Sequence, residues 1–259
     1  MFLSSRIEAD IVETVKEKKV VYQRELQVYL EDKYSHWDVY NKLKNLEGVS
    51  LRSRSYRGRK WYWPAEVVWS EVRETADMVA GLMEVCARHP RKYEYLGILY
   101  LDYMEFLVER ALKQAGYVVV AKDTYYFNGV IYVPPTGRGP GRPPDLDFIA
   151  NIPEKRLFIG VQVKNQLRYP RPEDLDMFLD MCQSLRVKPL LVARMAHEMQ
   201  LKRIRDIGGG FVIFKRWILK PPFPRDVFQK LVERGLPVAV YTRVPGFLVN
   251  RLLEVKRLF

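Results

Sequence analysis

Apolar residues at the start of the chain recur at helical spacing and predict three short helices. A capping box, Ser5-Arg-Ile-Glu8, opens the first helix, and a short strand at Val20-Val21 follows. A second helix is predicted from about Gln23 to Glu31. Another capping box, Ser35-His-Trp-Asp38, opens a third helix. The polar outer face of that third helix is formed by Asn41, Lys42, Lys44 and Asn45.

From Val49 to Pro64 the pattern changes to alternation, which predicts a β-hairpin with its turn at Arg57-Gly58. The hairpin carries a run of basic residues with no acidic residue among them: Arg52, Arg54, Arg57, Arg59 and Lys60. The order helix, strand, two helices and hairpin resembles a winged helix-turn-helix. This resemblance implies that the third helix enters the major groove of DNA and that the hairpin contacts the phosphate backbone. A winged helix used only for protein contact or dimerisation is the alternative, and the basic run favours DNA.

An apolar stripe predicts a further helix from Ala65 to Arg88. The stripe packs either in the core or against a second subunit, and the sequence does not choose between these. His89-Pro90 then ends the helical pattern. We therefore predict a winged-helix domain at residues 1–64, a helical linker at 65–92, and an α/β domain with a C-terminal extension at 93–259.

Polar side chains later in the chain concentrate on one predicted β-hairpin. Asp145-Leu-Asp147 begins its first strand, and Gln162-Val-Lys164 ends its second. Because side chains alternate across a strand, Gln162 and Lys164 share one face, and Asp147 enters from the neighbouring strand. A carboxylate, an amide oxygen and an ammonium in this arrangement can hold Mg²⁺, bind a phosphate and orient a water molecule. An ordinary solvent-facing strand is the alternative explanation for such short patterns.

The segment upstream strengthens the interpretation of this hairpin. Asp102 to Ala115 has helical spacing, Gly116 predicts a C-cap, and a strand follows. Helix, strand, Asp-bearing strand and Q-x-K strand in this order resemble the PD-(D/E)xK nuclease superfamily. The resemblance covers roughly residues 100 to 215 and is to Mrr-type restriction endonucleases and archaeal Holliday-junction resolvases in particular. It implies a restriction-endonuclease-like α/β core.

The resemblance implies a role for each matching residue. The glutamate of the family's helix falls on Glu105, its strand aspartate on Asp147, and its E/Q-x-K element on Gln162 and Lys164. Glu105, Asp147 and Gln162 would hold Mg²⁺, with Mn²⁺ as an alternative ion and Asp145 as a further candidate ligand. Lys164 would orient the attacking water and offset charge on the phosphate. Most of the superfamily has Glu where this chain has Gln162, and the neutral amide should weaken metal binding.

Other segments around this predicted site bear on the interpretation. The Gly- and Pro-rich stretch from Thr136 to Pro144 predicts a loop at the rim, where Arg138 and Arg142 would contact the DNA backbone. An ordinary exposed connection is the alternative. Glu109, one helical turn after Glu105, is expected to be a surface charge. Downstream, helices and strands alternate, which predicts a mixed sheet flanked by helices and hence an α/β fold.

Composition narrows the class of partner and of chemistry. The net charge of +12 favours a polyanionic partner such as DNA, although a basic protein surface would equally suit a membrane of anionic lipids. No apolar run reaches the roughly 20 residues of a membrane span, and the N-terminus lacks a signal-peptide pattern, so we expect a cytoplasmic location without a membrane partner. Cys86 and Cys182 are expected to be buried thiols, and the histidines lack zinc-site spacing. No P-loop motif is present, so we expect no nucleotide cofactor.

The sequence thus predicts a Mg²⁺-dependent DNA endonuclease whose winged helix binds duplex DNA. A double-strand cut needs two active sites, so a homodimer is expected for that activity and is not needed for nicking. The main alternative is a catalytically inactive nuclease fold acting as a regulatory or architectural DNA-binding protein. An RNA endonuclease is a further alternative. Residues 221–259 have no predicted function.

Overall fold

The computed structural model describes residues 2–88, 93–95, 98–100, 102–134 and 144–259. Over these residues the protein has a mixed α/β fold. Its helices are α1 (Phe2–Lys18), α2 (Gln23–Tyr29), α3 (His36–Leu46), α4 (Trp69–Arg88), α5 (Tyr103–Gln114), α6 (Pro172–Ser184), α7 (Glu198–Asp206), α8 (Arg225–Glu233) and α9 (Gly246–Leu258). Its strands are β1 (Val21–Tyr22), β2 (Leu51–Tyr56), β3 (Arg59–Pro64), β4 (Tyr93–Tyr95), β5 (Ile98–Tyr100), β6 (Val118–Thr124), β7 (Tyr126–Phe127), β8 (Val130–Ile131), β9 (Leu146–Ile152), β10 (Leu157–Lys164), β11 (Lys188–Ala193), β12 (Gly210–Ile213), β13 (Trp217–Leu219) and β14 (Val238–Val240). None of these helices is long and apolar enough to cross a membrane.

The chain forms two compact units. Unit 1 comprises Met1–His89 and Pro222–Val238, and unit 2 comprises Pro90–Pro221 and Ala239–Phe259. This division differs from the predicted boundaries at residues 64 and 92. Helix α4, predicted as a linker, belongs to unit 1, and so does α8, predicted as part of the C-terminal extension.

In unit 1, helices α1 to α3 pack on a three-stranded antiparallel sheet of order β1-β3-β2. The predicted cap of α3 is confirmed, since the Ser35 hydroxyl accepts a hydrogen bond from the Asp38 N–H at 3.0 Å. The predicted hairpin turn is also confirmed, because Arg57 and Gly58 have φ angles of +47° and +69°. The first helix begins at Phe2 rather than at the predicted cap, Ser5. The hydrophobic core of unit 1 consists of residues such as Ile11, Val15, Leu26, Val39, Leu43, Leu51 and Tyr62.

Helix α4 packs on the β2–β3 hairpin. The Trp69 ring lies 5.4 Å from the Tyr56 ring and 5.0 Å from the Trp63 ring, between centroids. The Tyr56 hydroxyl donates a hydrogen bond to Asp77 at 2.7 Å. Much of the predicted apolar stripe is buried, namely Val72, Val79, Leu82 and Met83, whereas Val68 and Met78 are exposed. The hairpin is therefore supported by a helix along its length.

A buried ion pair joins the residues after α8 to the N-terminal helices of unit 1. The Arg234 Nε donates to Glu25 Oε1 at 2.6 Å, and both side chains are buried. Arg234 also donates to the backbone carbonyls of Lys18 and Val20. The Tyr29 hydroxyl lies 2.6 Å from both Glu25 Oε1 and the Arg234 carbonyl. Residues 222–238 thus complete unit 1 through a polar network.

Unit 2 is built on a five-stranded mixed sheet of order β12-β11-β10-β9-β6. Strands β10, β11 and β12 are parallel, whereas β9 is antiparallel to both β10 and β6, so the predicted β9–β10 hairpin is confirmed. Helices α5 and α9 cover one face through residues such as Leu107 and Leu252. Helices α6 and α7 cover the other face through residues such as Phe178 and Ile204. The predicted C-cap of α5 is present, because Gly116 has a φ of +78°.

We expect Arg234→Met to destabilise the protein by about 3 kcal/mol, because it leaves the Glu25 carboxylate buried without its cation. Urea unfolding of the variant measures this loss. Arg73→Ala is the matched control, since its partner Asp77 lies at 3.7 Å and its side chain is mostly exposed; we expect a change within about 0.5 kcal/mol. Equal effects of the two substitutions would contradict a structural role for the buried pair.

Candidate active site

Asp147 is a buried carboxylate placed where strands β9 and β10 separate. The pairing of the two strands reaches Val161 and Phe148, and Asp147 is the next residue outward on β9. Its Oδ2 accepts hydrogen bonds from Gln162 Nε2 at 2.8 Å and from the backbone N–H of Val163. The side chain therefore supplies the acceptor for a backbone N–H of the neighbouring strand, and this fixes the carboxylate beside Gln162.

Gln162 and Lys164 project from one face at the end of β10. Strands β10 and β11 run parallel up to the pair Lys164 and Ala193. Both residues therefore lie at the carboxyl edge of the parallel strands, which is where ligand sites of open α/β sheets occur. The ammonium of Lys164 is close enough to Asp147 to lower the pKa of its carboxyl group.

Glu105 lies in the first turn of α5, where it also caps the helix. The Met104 N–H donates to Asp102 Oδ1 at 2.7 Å, and the Asp102 N–H donates to Glu105 Oε2 at 3.3 Å. The Asp102 side chain also accepts from the Glu105 N–H, which completes a capping box and gives Glu105 a structural role that the sequence analysis did not predict. Burial, and then the charge of Asp147, raise the pKa of Glu105. The carboxyl groups of Glu105 and Asp147 are thus electrostatic neighbours.

The pKa of Asp147 is also raised, and its causes describe the site. Burial is the largest cause, while Lys164 and the Val163 N–H act in the opposite direction. The charges of Asp145 and Asp123 raise the pKa further. Of the predicted site residues, Gln162 is thus hydrogen-bonded to Asp147, and Glu105, Asp145 and Lys164 lie within electrostatic range of its carboxyl group.

Asp123 is a neighbour of the site that the sequence analysis missed. On β6 it lies between Lys122 and Thr124, which pair with Phe148 and Leu146 of β9, so it is opposite Asp147. Its φ of +44° is unusual for a residue other than glycine. Its charge raises the pKa of both Glu105 and Asp147. Only the register of β6 against β9 identifies it, and no local motif surrounds it.

The prediction that Glu109 is a surface charge is wrong. Glu109 is buried and forms ion pairs at 2.6 Å with both Lys113 and Lys122. It lies on the face of α5 that packs towards β6, and Lys122 reaches it from that strand. Because two ammonium groups compensate its charge, Glu109 is a structural residue.

A cleft of about 220 Å³ lies on the α6 side of this edge of the sheet. Asp145, Gln162 and Lys164 line it, and so do Arg168 and Asp174. Its apolar wall is formed by Met177, Phe178 and Met181. The cleft therefore combines the polar end of β10 with the loop that follows it.

The predicted DNA-binding residues of α3 and the β2–β3 hairpin differ in their surroundings. Lys44, Asn45, Arg52, Arg54 and Arg57 are exposed, and Asn41, Lys42, Arg59 and Lys60 are half-buried. Ion pairs join Lys42 to Glu8 at 3.0 Å, Arg57 to Asp77 at 3.1 Å and Lys60 to Glu47 at 2.6 Å. Arg138 and Arg142 lie outside the described residues.

The donor atoms at Asp147 offer a divalent cation two ligands from the protein, the Asp147 carboxylate and the Gln162 amide. Among residues 2–88, 93–95, 98–100, 102–134 and 144–259, no group of three or more His, Cys, Asp and Glu residues is placed to hold a metal ion. In the pair formed by the Asp147 carboxylate and the Gln162 amide, Nε2 lies 2.8 Å from Oδ2. If the Gln162 amide flips, its Oε1 takes the place of Nε2, and two oxygens then face a cation. Adjacent ligands in an octahedral Mg²⁺ shell are about 2.9 Å apart, so this pair fits two positions of such a shell.

Comparisons with protein-family models, with curated proteins and with solved structures find no match to this chain.

We expect the effect of Asp147→Asn on the free energy of unfolding, measured without metal, to be more stabilising at pH 8 than at pH 5. The difference should be on the order of 1 kcal/mol. A carboxyl group whose pKa is raised on folding binds more protons in the folded state than in the unfolded state. The stability that Asp147 contributes at low pH is therefore lost as the pH rises through its raised pKa. Asparagine keeps an oxygen acceptor for Gln162 and Val163. Urea unfolding in EDTA at both pH values measures the difference.

Asp174→Asn is the matched control for this experiment. Its hydrogen bonds from Arg171 lower the pKa of Asp174, so its contribution is present at pH 8 and is lost as the pH falls. We therefore expect Asp174→Asn to be less stable than wild type at pH 8. A loss of stability at pH 8 in Asp147→Asn as well would contradict the raised pKa.

Proposed function

We propose that this protein is a divalent-metal-dependent endonuclease that acts on duplex DNA. The observation that carries this proposal is the buried Asp147 carboxylate, which is hydrogen-bonded to Gln162 and adjacent to Lys164 at the carboxyl edge of the parallel strands. The order of elements that resembles the PD-(D/E)xK superfamily and the net charge of +12 support it. Without the group at Asp147, neither the order of elements nor the net charge would distinguish a nuclease from another DNA-binding protein.

The proposed mechanism assigns one task to each side chain. Asp147 and Gln162 would hold a Mg²⁺ or Mn²⁺ ion, which when bound would polarise the phosphate and increase the acidity of a water ligand. Lys164 orients the attacking water and offsets negative charge that develops on the phosphate. The carboxylate of Glu105, whose pKa is raised, can accept a proton near neutral pH. Asp145 and Asp123 add negative charge that favours retention of a cation.

We propose that unit 1 binds DNA as a winged helix. Helix α3 would contact the groove through its exposed Lys44 and Asn45, and the edge strand β2 would contact phosphates through Arg52 and Arg54. Because Asp77 already pairs with Arg57, we expect Arg57 to contribute little. Two copies of the chain would be needed for a double-strand cut and one for a nick.

One observation favours a second function, that of a nuclease fold without catalysis. The predicted metal ligands already have structural partners, because Asp147 bonds to Gln162 and Val163 and Glu105 caps α5. These contacts account for the buried Asp147 and the half-buried Glu105 without a metal ion. A regulatory or architectural DNA-binding protein would need only unit 1 and a stable unit 2.

We expect the wild-type protein to cleave DNA in Mg²⁺ or Mn²⁺, and Asp147→Ala and Lys164→Ala each to lower the rate by at least about 100-fold. The first removes a candidate ligand and the second a charge next to the phosphate. Labelled supercoiled, linear, single-stranded and four-way-junction DNA serve as substrates. Asp206→Ala and Lys202→Ala remove exposed charges of α7 and should leave the rate unchanged. DNA binding without cleavage of any substrate would favour the second function.

For DNA binding, we expect Arg52→Ala to reduce the slope of log K against log salt concentration by about 1 on a short duplex. Arg57→Ala should leave the slope unchanged, because the charge of Arg57 is already paired. Fluorescence anisotropy in EDTA, with Asp147→Ala present in every variant, measures binding without cleavage. A wild-type slope in Arg52→Ala would exclude this strand from the interface.

A further inference from the structure

The loop from Asn165 to Pro170, which follows Lys164, is held from the inside by buried side chains. Arg194 is fully buried, and its Nε, Nη1 and Nη2 donate to the backbone carbonyls of Gln166, Lys215 and Leu167 at 3.0, 3.1 and 2.9 Å. Gln200 donates to the Pro170 carbonyl at 2.8 Å. A buried guanidinium bound to carbonyl groups is costly unless the structure fixes them around it. The path of this loop is therefore determined by Arg194 and Gln200.

The start of the loop is fixed as well. The Asn165 amide donates to the Ile218 carbonyl at 2.6 Å and accepts from the Ile218 N–H at 3.0 Å. The Arg194 N–H donates to the Lys164 carbonyl at 3.0 Å, which continues the parallel pairing beyond the strand ends. Lys164 thus lies at the beginning of a loop that side chains hydrogen-bond at both ends.

The carbonyl contacts also fix the direction of the amide groups. In a planar trans peptide the C=O and N–H groups point to opposite sides. Because the Gln166 and Leu167 carbonyls point towards Arg194, the N–H groups of Leu167 and Arg168 point away from it. Successive N–H groups directed to the same side form an anion-binding concavity.

The side chains beside these N–H groups are basic. Lys164 and Arg168 line the cleft of about 220 Å³, and Arg168 is exposed. Of the acidic residues that line the cleft, Asp174 is bonded by Arg171 at 2.8 and 3.0 Å, and Asp145 lies near Asp147. Arg171, Lys164 and Arg168 all lie close enough to Asp174 to lower its pKa, so three cations surround this carboxylate at the loop.

We propose that residues 164–168 form a phosphate-binding subsite for the nucleic-acid backbone next to the candidate active site. The Lys164 and Arg168 side chains and the N–H groups of Leu167 and Arg168 bind one phosphodiester, and Arg194 is the positioning residue that directs these N–H groups. The identity of the ligand as DNA rests on the proposed function, whereas the anion site rests on the geometry of the loop. The same cleft is lined by Gln162, so a phosphodiester bound here lies beside one of the two proposed metal ligands.

The test measures the salt dependence of binding to a short fluorescein-labelled duplex in EDTA, where no cleavage occurs. We expect Arg168→Ala to lower the slope of log K against log salt concentration by about 1, and Arg168→Lys to keep the wild-type slope. Arg186→Ala is the matched control, because Arg186 is exposed at the other end of β11. A wild-type slope in Arg168→Ala would overturn the subsite.

Arg194 is tested by chemical rescue. We expect Arg194→Ala to weaken duplex binding, and a low concentration of guanidinium chloride to restore it where the same concentration of NaCl does not. A variant that melts as a folded protein but is not rescued would overturn the positioning role. If Arg194→Ala does not fold, Arg194→Lys is compared with wild type for duplex binding, and unchanged binding would overturn it.

The outcomes separate this inference from the proposed nuclease activity. If the wild-type protein cleaves no substrate but the Arg168→Ala slope falls, the phosphate subsite stands without the nuclease. If cleavage occurs and the slope is unchanged, the subsite fails and the nuclease stands.

Discussion

The burial of the Asp147 carboxylate is the constraint on which the structure of unit 2 around the candidate site depends. Strands β9 and β10 separate beyond the pair Phe148 and Val161, and the Val163 N–H there needs an acceptor. Asp147 supplies it and is thereby held beside Gln162 and near Lys164. This contact holds the carboxylate at the edge of the sheet, and burial there raises the pKa of Asp147. Structure and candidate chemistry therefore share one hydrogen-bonding group.

Gln162 has a special place in this arrangement because its amide can either donate or accept. As a donor it compensates the Asp147 charge, which is the arrangement in the structure. As an acceptor it would join Asp147 in holding a cation. A glutamate at this position would place two carboxylates side by side in a buried setting and could not act as the donor. The neutral amide thus donates to Asp147 in this structure, and it would supply less negative charge to a bound ion than a glutamate.

Local patterns were sufficient to predict the α5 helix with its Gly116 cap, the β9–β10 hairpin, the Ser35 cap and the Arg57-Gly58 turn. In each case the signal lies within a few residues of the chain. The prediction that is wrong and the features that were not predicted all depend on contacts between residues distant in sequence. Glu109 is buried because Lys122 reaches it from β6, and Asp123 faces Asp147 only through the pairing of β6 with β9. Helix α8 joins unit 1 because Arg234 pairs with Glu25, far away in sequence.

We propose that Asp147 and Gln162 together form a divalent-cation site. Electron paramagnetic resonance of Mn²⁺ in titrations of wild type, Asp147→Asn and Gln162→Glu tests it most directly, since it counts bound ions without requiring cleavage. We expect Gln162→Glu to bind Mn²⁺ more tightly than wild type at pH 8, because it adds a charged ligand, and Asp147→Asn to bind it at least about 10-fold more weakly. Equal Mn²⁺ affinity in all three proteins would contradict the metal site.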